Sequence, residues 1–205
     1  GPTDFPPLPF WTHDHVTQGP RPDGHRTFLT SSNCMSCHEA VQLYSQMPNM
    51  VVTEKKKDGA ASLINLSTHS EWRHSTMGLS GRDPVFFAQL ESERAMHPEL
   101  ADQIDNKCLS CHAVMGQRQW QHDKGVDLPF THKMAMAEPG SEHAKYGALA
   151  RDGVSCVVCH QMQPEGMGDP ETYSGKFKFP AKPTGVFGPY EKVATLPMEN
   201  ALGLK

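Results

Sequence analysis

Apolar positions along this chain come in short runs with helical spacing, and no stretch alternates as a half-buried strand would. Ala40, Leu43, Tyr44 and Met47 fall at i, i+3, i+4 and i+7, one apolar face that Pro48 closes. Ser31, Ser32 or Asn33 can cap the start of that helix. A loop is expected next, through Lys55-Lys56-Lys57 to Gly59. Thr68 and Glu71 have the T-x-x-E spacing of a capping box, predicting a second helix through Trp72 to Met77. Asp83-Pro84 predicts a third, with proline at its first position and Phe87, Leu90 and Arg94 along one side. Pro98 interrupts it, a fourth helix is expected from Glu99, and Gly116 is expected to end that one. Residues 117–140 read as irregular, after which Ser141 can cap a short helix through Ala150, closed by Asp152-Gly153. Ser155 can cap one more.

The helical signal dissolves at both ends. Residues 1–26 hold six prolines, which forbid a helix and favour extended chain. From Gln163 onward six prolines and six glycines imply coil. The expected fold is mostly α with extensive coil, short helices and loops with no substantial sheet. It divides into a proline-rich arm, 1–26, and a single domain, 27–205.

Three of the predicted helices carry the same pentapeptide pattern. Cys34-Met35-Ser36-Cys37-His38, Cys108-Leu109-Ser110-Cys111-His112 and Cys156-Val157-Val158-Cys159-His160 each read C-x-x-C-H, the pattern for covalent attachment of a c-type haem. Two intervening residues let one turn of chain span the two vinyl groups to which the thiols add. The adjacent histidine then lies under the ring as an axial ligand. All six cysteines are used in this way, so none is left over for a disulfide. Structural zinc needs four ligands per ion, and three C-x-x-C units do not pair evenly. A thioredoxin-like redox pair has no need of the following histidine. Three covalent haems, around which the short helices pack, are therefore expected. The 74- and 48-residue spacings between motifs show no regular repeat.

Composition fits that expectation. Only 37% of residues are hydrophobic, and 17 glycines and 17 prolines thin the core further. Three large apolar rings would supply what the side chains lack. The formal charge of −4 becomes about −7 with three ferric haems and about −10 with three ferrous ones, which suits a basic protein partner and argues against nucleic acid. The lysine run reads as a solvated loop. No apolar run approaches the length of a membrane-spanning helix. Haem attachment of this kind takes place outside the cytoplasmic membrane, so a removed leader and a periplasmic or extracellular compartment are expected.

The opposite face of each haem decides its behaviour: His/His ligation gives a low potential, His/Met a higher one, and an open position permits chemistry. On the second helix His74 and Met77 compete for one iron, with His69, Arg73 and Met77 at i, i+4 and i+8. His132 and His143, ahead of the third motif, are candidates for the other two. His13, His15 and His25 in the arm, and His97 and His122 flanking the second motif, are further candidates.

The stretch Glu71-Trp72-Arg73-His74-Ser75-Thr76-Met77, continuing to Arg82-Asp83-Pro84-Val85-Phe86, resembles a motif of multihaem c-type cytochromes related to the hydroxylamine oxidoreductase group. So does Ala150-Arg151-Asp152-Gly153-Val154-Ser155 leading into the third haem motif. In that group a W-x-x-S-x-H segment commonly supplies a distal histidine, and Met77 stands where that histidine would be. The resemblance implies Met77 as an axial ligand, with His74 its rival. In similar, longer cytochromes the segment like Gly188-Pro189-Tyr190 through Pro197-Met198 continues into further haem motifs, so a domain of a longer protein is expected. Electron transfer to redox partner proteins, other multihaem cytochromes among them, is the leading functional expectation. The alternatives are oxidation or reduction of a small nitrogen or sulfur compound at one open haem, and binding of a diatomic gas. No C-x-x-C-K, the mark of one nitrite-reducing family, is present.

Overall fold

A computed structural model describes residues 28–40, 50–125, 128–180 and 185–202. The proline-rich arm with His13, His15 and His25, and the predicted apolar face from Leu43 to Met47, lie outside the described residues. What is described is about half helical, with a two-stranded sheet and coil, in keeping with a mostly α fold.

Helix α1 (Ser32–His38) stops at its histidine, because Glu39 turns to an extended conformation, so it is shorter than the sequence pattern implied. Ser31 occupies its N-cap position without capping it. The Ser31 N–H and hydroxyl instead donate to the Asp152 carboxylate, at 2.7 and 2.8 Å. Strands β1 (Val51–Lys55) and β2 (Ala61–Asn65) then form an antiparallel hairpin, with Val51 opposite Asn65 and Lys55 opposite Ala61. This replaces the expected lysine loop. Gly59, at φ +84°, donates to Lys56 O at 3.0 Å, and the Asp58 carboxylate accepts from Ala60 N at 2.9 Å, closing the turn. Both faces of the hairpin stay largely exposed, so it never needed the apolar–polar alternation that betrays a half-buried strand.

Helix α2 (Thr68–Arg73) is capped by Ser67, one residue before the predicted Thr68. It ends short of Met77. The Ser75 hydroxyl donates back to Trp72 O at 2.7 Å and accepts from Gly78 N at 3.2 Å, so it closes one helix and caps the next, α3 (Thr76–Leu79). Helix α4 (Pro84–Met96) follows its signals: Asp83 accepts from Val85 N, proline sits in the first turn, and Phe87 and Leu90 are buried. A 3₁₀ turn, Pro98–Leu100, leads into α5 (Ala101–His112).

Gly116 does not terminate anything. It lies inside α6 (Val114–Lys124), where a Cβ would stand 2.6 Å from Tyr146 O and 2.8 Å from the Ala150 Cβ of α8 (Ala144–Arg151). Its hydrogen lets α6 and α8 cross closely. The expectation of irregular chain over 117–140 is overturned by α6 and by α7 (His132–Ala135). Ser141 does not cap α8 either: its hydroxyl donates to Glu138 O, and His143 holds the N-cap position. Helices α9 (Cys156–His160) and α10 (Leu196–Leu202) complete the order, with coil and a 3₁₀ turn between them. No helix among the described residues is long and apolar enough to cross a membrane.

Two apolar clusters organise these pieces. Phe87 and Leu90 of α4 meet Leu109, Phe130, Met134 and Tyr146 in one. Phe28 and Leu29 meet Val114, Met115, Leu149, Val157 and Val158 in the other. Arg94 and Asp105 pair at 3.0 Å beside the first cluster, and Asp105 also accepts from His132 N at 2.7 Å. Asp123 is a second polar hub, accepting from Tyr146 OH and Gln119 Nε2, each at 2.9 Å, and from Lys145 Nζ. Gln119 Oε1 in turn receives Phe28 N at 3.2 Å.

Burial pushes the Asp123 carboxyl up, but donation from Lys145, His122, Tyr146 and Gln119 outweighs it and holds the group at about 2. A depressed carboxyl stabilises the fold above its unfolded value and stops doing so as it is protonated. The stability contributed by Asp123 is therefore expected to fade as pH falls from 3.8 to about 2. Acid titration of unfolding should show a shallower decline over that window in Asp123→Asn than in wild type, and identical slopes would refute the hub.

Candidate haem-attachment sites

The three C-x-x-C-H motifs have one local design. Each is the last turn of a helix that ends on its own histidine: α1 at His38, α5 at His112 and α9 at His160. In each, the first cysteine is half-buried and the second exposed: Cys34 and Cys37, Cys108 and Cys111, Cys156 and Cys159. Terminating the helix at histidine frees the imidazole from the helix surface, while the preceding turn holds both thiols on one side.

Two of the histidines are aimed by backbone oxygens. His112 Nδ1 lies 3.4 Å from Ser80 O, and its ring stacks on Phe86 with centroids 3.5 Å apart and planes 1° from parallel. His160 Nδ1 lies 2.5 Å from Phe187 O, and Phe187 N donates back to His160 O at 2.6 Å. With the proton held at Nδ1 by a carbonyl, Nε2 carries the lone pair that an iron would take. His38 is held by its backbone instead, its carbonyl accepting the Ser67 hydroxyl at 3.0 Å. The donor set and its orientation fit haem. Among the described residues no three His, Cys, Asp or Glu side chains gather as a metal-holding group.

The surroundings differ from motif to motif. Cys108 rests against the Phe87–Phe130 cluster, and burial pushes its thiol up. Gly175, at φ +79°, lies over Cys111, where a Cβ would come within 3.4 Å of Sγ, and Arg118 reaches Gly175 O. The Cys156 side chain, with burial behind it, pushes the Cys34 thiol up, and Cys34 in turn pulls Cys156 down. Desolvation likewise pushes Asp152 up, with the Ser31 donors and the Arg82 charge acting against it.

The candidate distal ligands are spread over the molecule. Met77 is 51% exposed on α3, and its carbonyl accepts Val154 N at 3.1 Å, two residues ahead of Cys156. Trp72 Nε1 donates to Val154 O at 2.7 Å, so the two stretches that carried the cytochrome resemblance pack directly on each other. His74 is exposed. His132 sits 3.7 Å from the Glu91 carboxylate with its ring 5.7 Å from Phe87. His143 lies elsewhere, its ring 5.6 Å from Trp120 at the start of α8. His97 is on the surface, 4.0 Å from Glu99.

One histidine gains weight that its place in the helical pattern did not give it. His69 is 4% exposed, its Nδ1 has no hydrogen-bond partner, and burial lowers its affinity for a proton. It lines a cleft of about 360 Å³ with Ser31, Ser32, Met35 and Glu39 of the first motif's segment and with Ser70, Arg73 and His74. A neutral buried imidazole beside the first motif is a competent ligand. Comparison with protein-family models, with curated proteins and with solved structures finds no match to this chain.

Asp152 → Ala would leave the buried Ser31 N–H and hydroxyl without their acceptor, at a cost of about 1–3 kcal/mol. Denaturant unfolding of wild type and variant measures it, and an unchanged midpoint would contradict the role of these two bonds.

Proposed function

We propose that this chain holds three c-type haems and relays electrons through them. Cys34 and Cys37, Cys108 and Cys111, and Cys156 and Cys159 supply the thioether sulfurs, while His38, His112 and His160 supply one axial nitrogen each. The observation that carries the reading is the shared arrangement of the motifs, with His112 and His160 turned so that Nε2 is presented. Haem iron, once bound, supplies a one-electron couple. The protein's own work is to hold the imidazoles, to shield the rings and to set their spacing.

Met77, His132 and His143 are the ligands the sequence nominates for the opposite faces, and His69 joins them from the structure. Kinship with the hydroxylamine-oxidoreductase-related group rests on the two stretches joined at Trp72 and Val154. The acidic surface suits transient docking of basic redox proteins or a neighbouring multihaem cytochrome, outside the cytoplasmic membrane.

Produced with a c-type maturation system, the protein should exceed the mass of its bare chain by three haems and show reversible one-electron steps in voltammetry. A colourless product, or fewer than three haems per chain, overturns the reading. Carbon monoxide added to the reduced protein should leave the spectrum unchanged, whereas a full shift at one haem would favour the enzyme reading over the relay. The ferric protein should display the weak far-red band of a sulfur–iron bond, and Met77→Ala should abolish it. Its survival in that variant would remove Met77 from the ligand set.

A further inference from the structure

We propose that Arg118 is a fixed cation that raises the reduction potential of the second haem, held at the thioether corner of Cys111. The inference rests on the three-haem reading and adds to it which haem the fold biases towards the reduced state.

Arg118 stands on α6 and reaches across to the chain that follows the third motif, where its Nη2 donates to Gly175 O. Nη1 donates to Gln121 Oε1 at 3.4 Å, and Cζ sits 5.9 Å from the centre of the Phe177 ring. Two hydrogen bonds and an aromatic face thus fix the guanidinium. Gly175 in turn rests on the second motif. At its φ of +79° a Cβ would stand 3.2 Å from Ser110 Oγ and 3.4 Å from Cys111 Sγ, a close approach that glycine permits. One peptide group therefore joins the charge to the sulfur.

Among the described residues no carboxylate pairs with Arg118, and its buried Nε has no hydrogen-bond partner. Arg94, by contrast, is matched at 3.0 Å by Asp105, one turn before Cys108. Lys107 is exposed, so water and salt screen it. A guanidinium stays protonated at any working pH, so Arg118 is a permanent charge. A thioether sulfur is bonded to a substituent carbon of the porphyrin, which places that charge at the macrocycle's edge. Reduction adds one electron to the iron, and a neighbouring cation favours the reduced form. A unit charge about 10 Å from iron, at an effective dielectric of about 20, shifts the equilibrium by about tenfold.

The experiment is a spectroelectrochemical titration of the haem-loaded protein, with haem count fixed by mass, on wild type, Arg118→Gln and Arg118→Lys. Glutamine keeps an N–H donor without the charge, and lysine keeps the charge. In Arg118→Gln one of the three midpoint potentials should fall by about tenfold in equilibrium constant, about 59 mV for one electron. In Arg118→Lys all three should stay in place. With the second haem removed by Cys108→Ala/Cys111→Ala, adding Arg118→Gln should move neither remaining potential. Unchanged potentials in Arg118→Gln, equal falls in the glutamine and lysine variants, or a fall that survives removal of the second haem overturns the tuning. Loss of a haem from Arg118→Gln overturns it too, because the side chain then fastens the haem instead of biasing it. Fewer than three haems in wild type overturns the underlying reading instead.

Discussion

Asp152 is a carboxylate with no exposed surface, and it accepts two hydrogen bonds from Ser31. A polar group so placed needs its donors, since removing either partner strands the other in a medium that cannot hydrate it. That necessity ties the segment entering the first motif to the segment entering the third. Around the tie the backbone is packed to the limit of what glycine allows. A Cβ at Gly81 would fall 2.0 Å from Ala150 O, and one at Gly153, φ +66°, would fall 2.7 Å from Met77 O. Val154 meanwhile exchanges bonds with Met77 O, the Ser80 hydroxyl and Trp72 Nε1. The chain from Trp72 to Arg82 and the chain from Ala150 to Val154 thus form one tightly keyed joint.

That joint explains how such short helices persist. Helices of four to eight residues, such as α2, α3, α7 and α9, are too brief to be stable alone. Here the Ser67 and Ser75 hydroxyls cap α2 and α3, while α7 and α9 are held through two modest apolar clusters, not by long amphipathic faces. A chain with 34 glycines and prolines in 205 residues has little regular backbone with which to bury more. Large rigid apolar rings covalently seated among the helices would complete a core that the side chains build only in part.

The devices that aim the histidines are backbone groups. Ser80 and Phe187 act through their carbonyls, so any side chain at those positions could serve, and nothing in a string of residue names marks them. Phe86, stacked on His112, is the exception, because an aromatic ring is required there, although its partner lies 26 residues further along the chain. The clusters likewise join residues distant in sequence, as when Phe28 and Val158 share one cluster.

Local structure was legible from the residues themselves. Each C-x-x-C-H repeat closes a helix as its short span implies, and α4 followed its signals because Asp83, Pro84 and the Phe87–Leu90 spacing act over a few residues. The hairpin escaped because two exposed faces impose no alternation, and Gly116 misled because a glycine looks the same as a helix stop and as a point of close approach. Which motif adjoins which, which histidine is buried, and which carbonyl faces an imidazole all depend on contacts between segments dozens of residues apart. Such contacts leave no spacing rule in the chain, since loop closure brings them together only when the whole set of contacts forms at once.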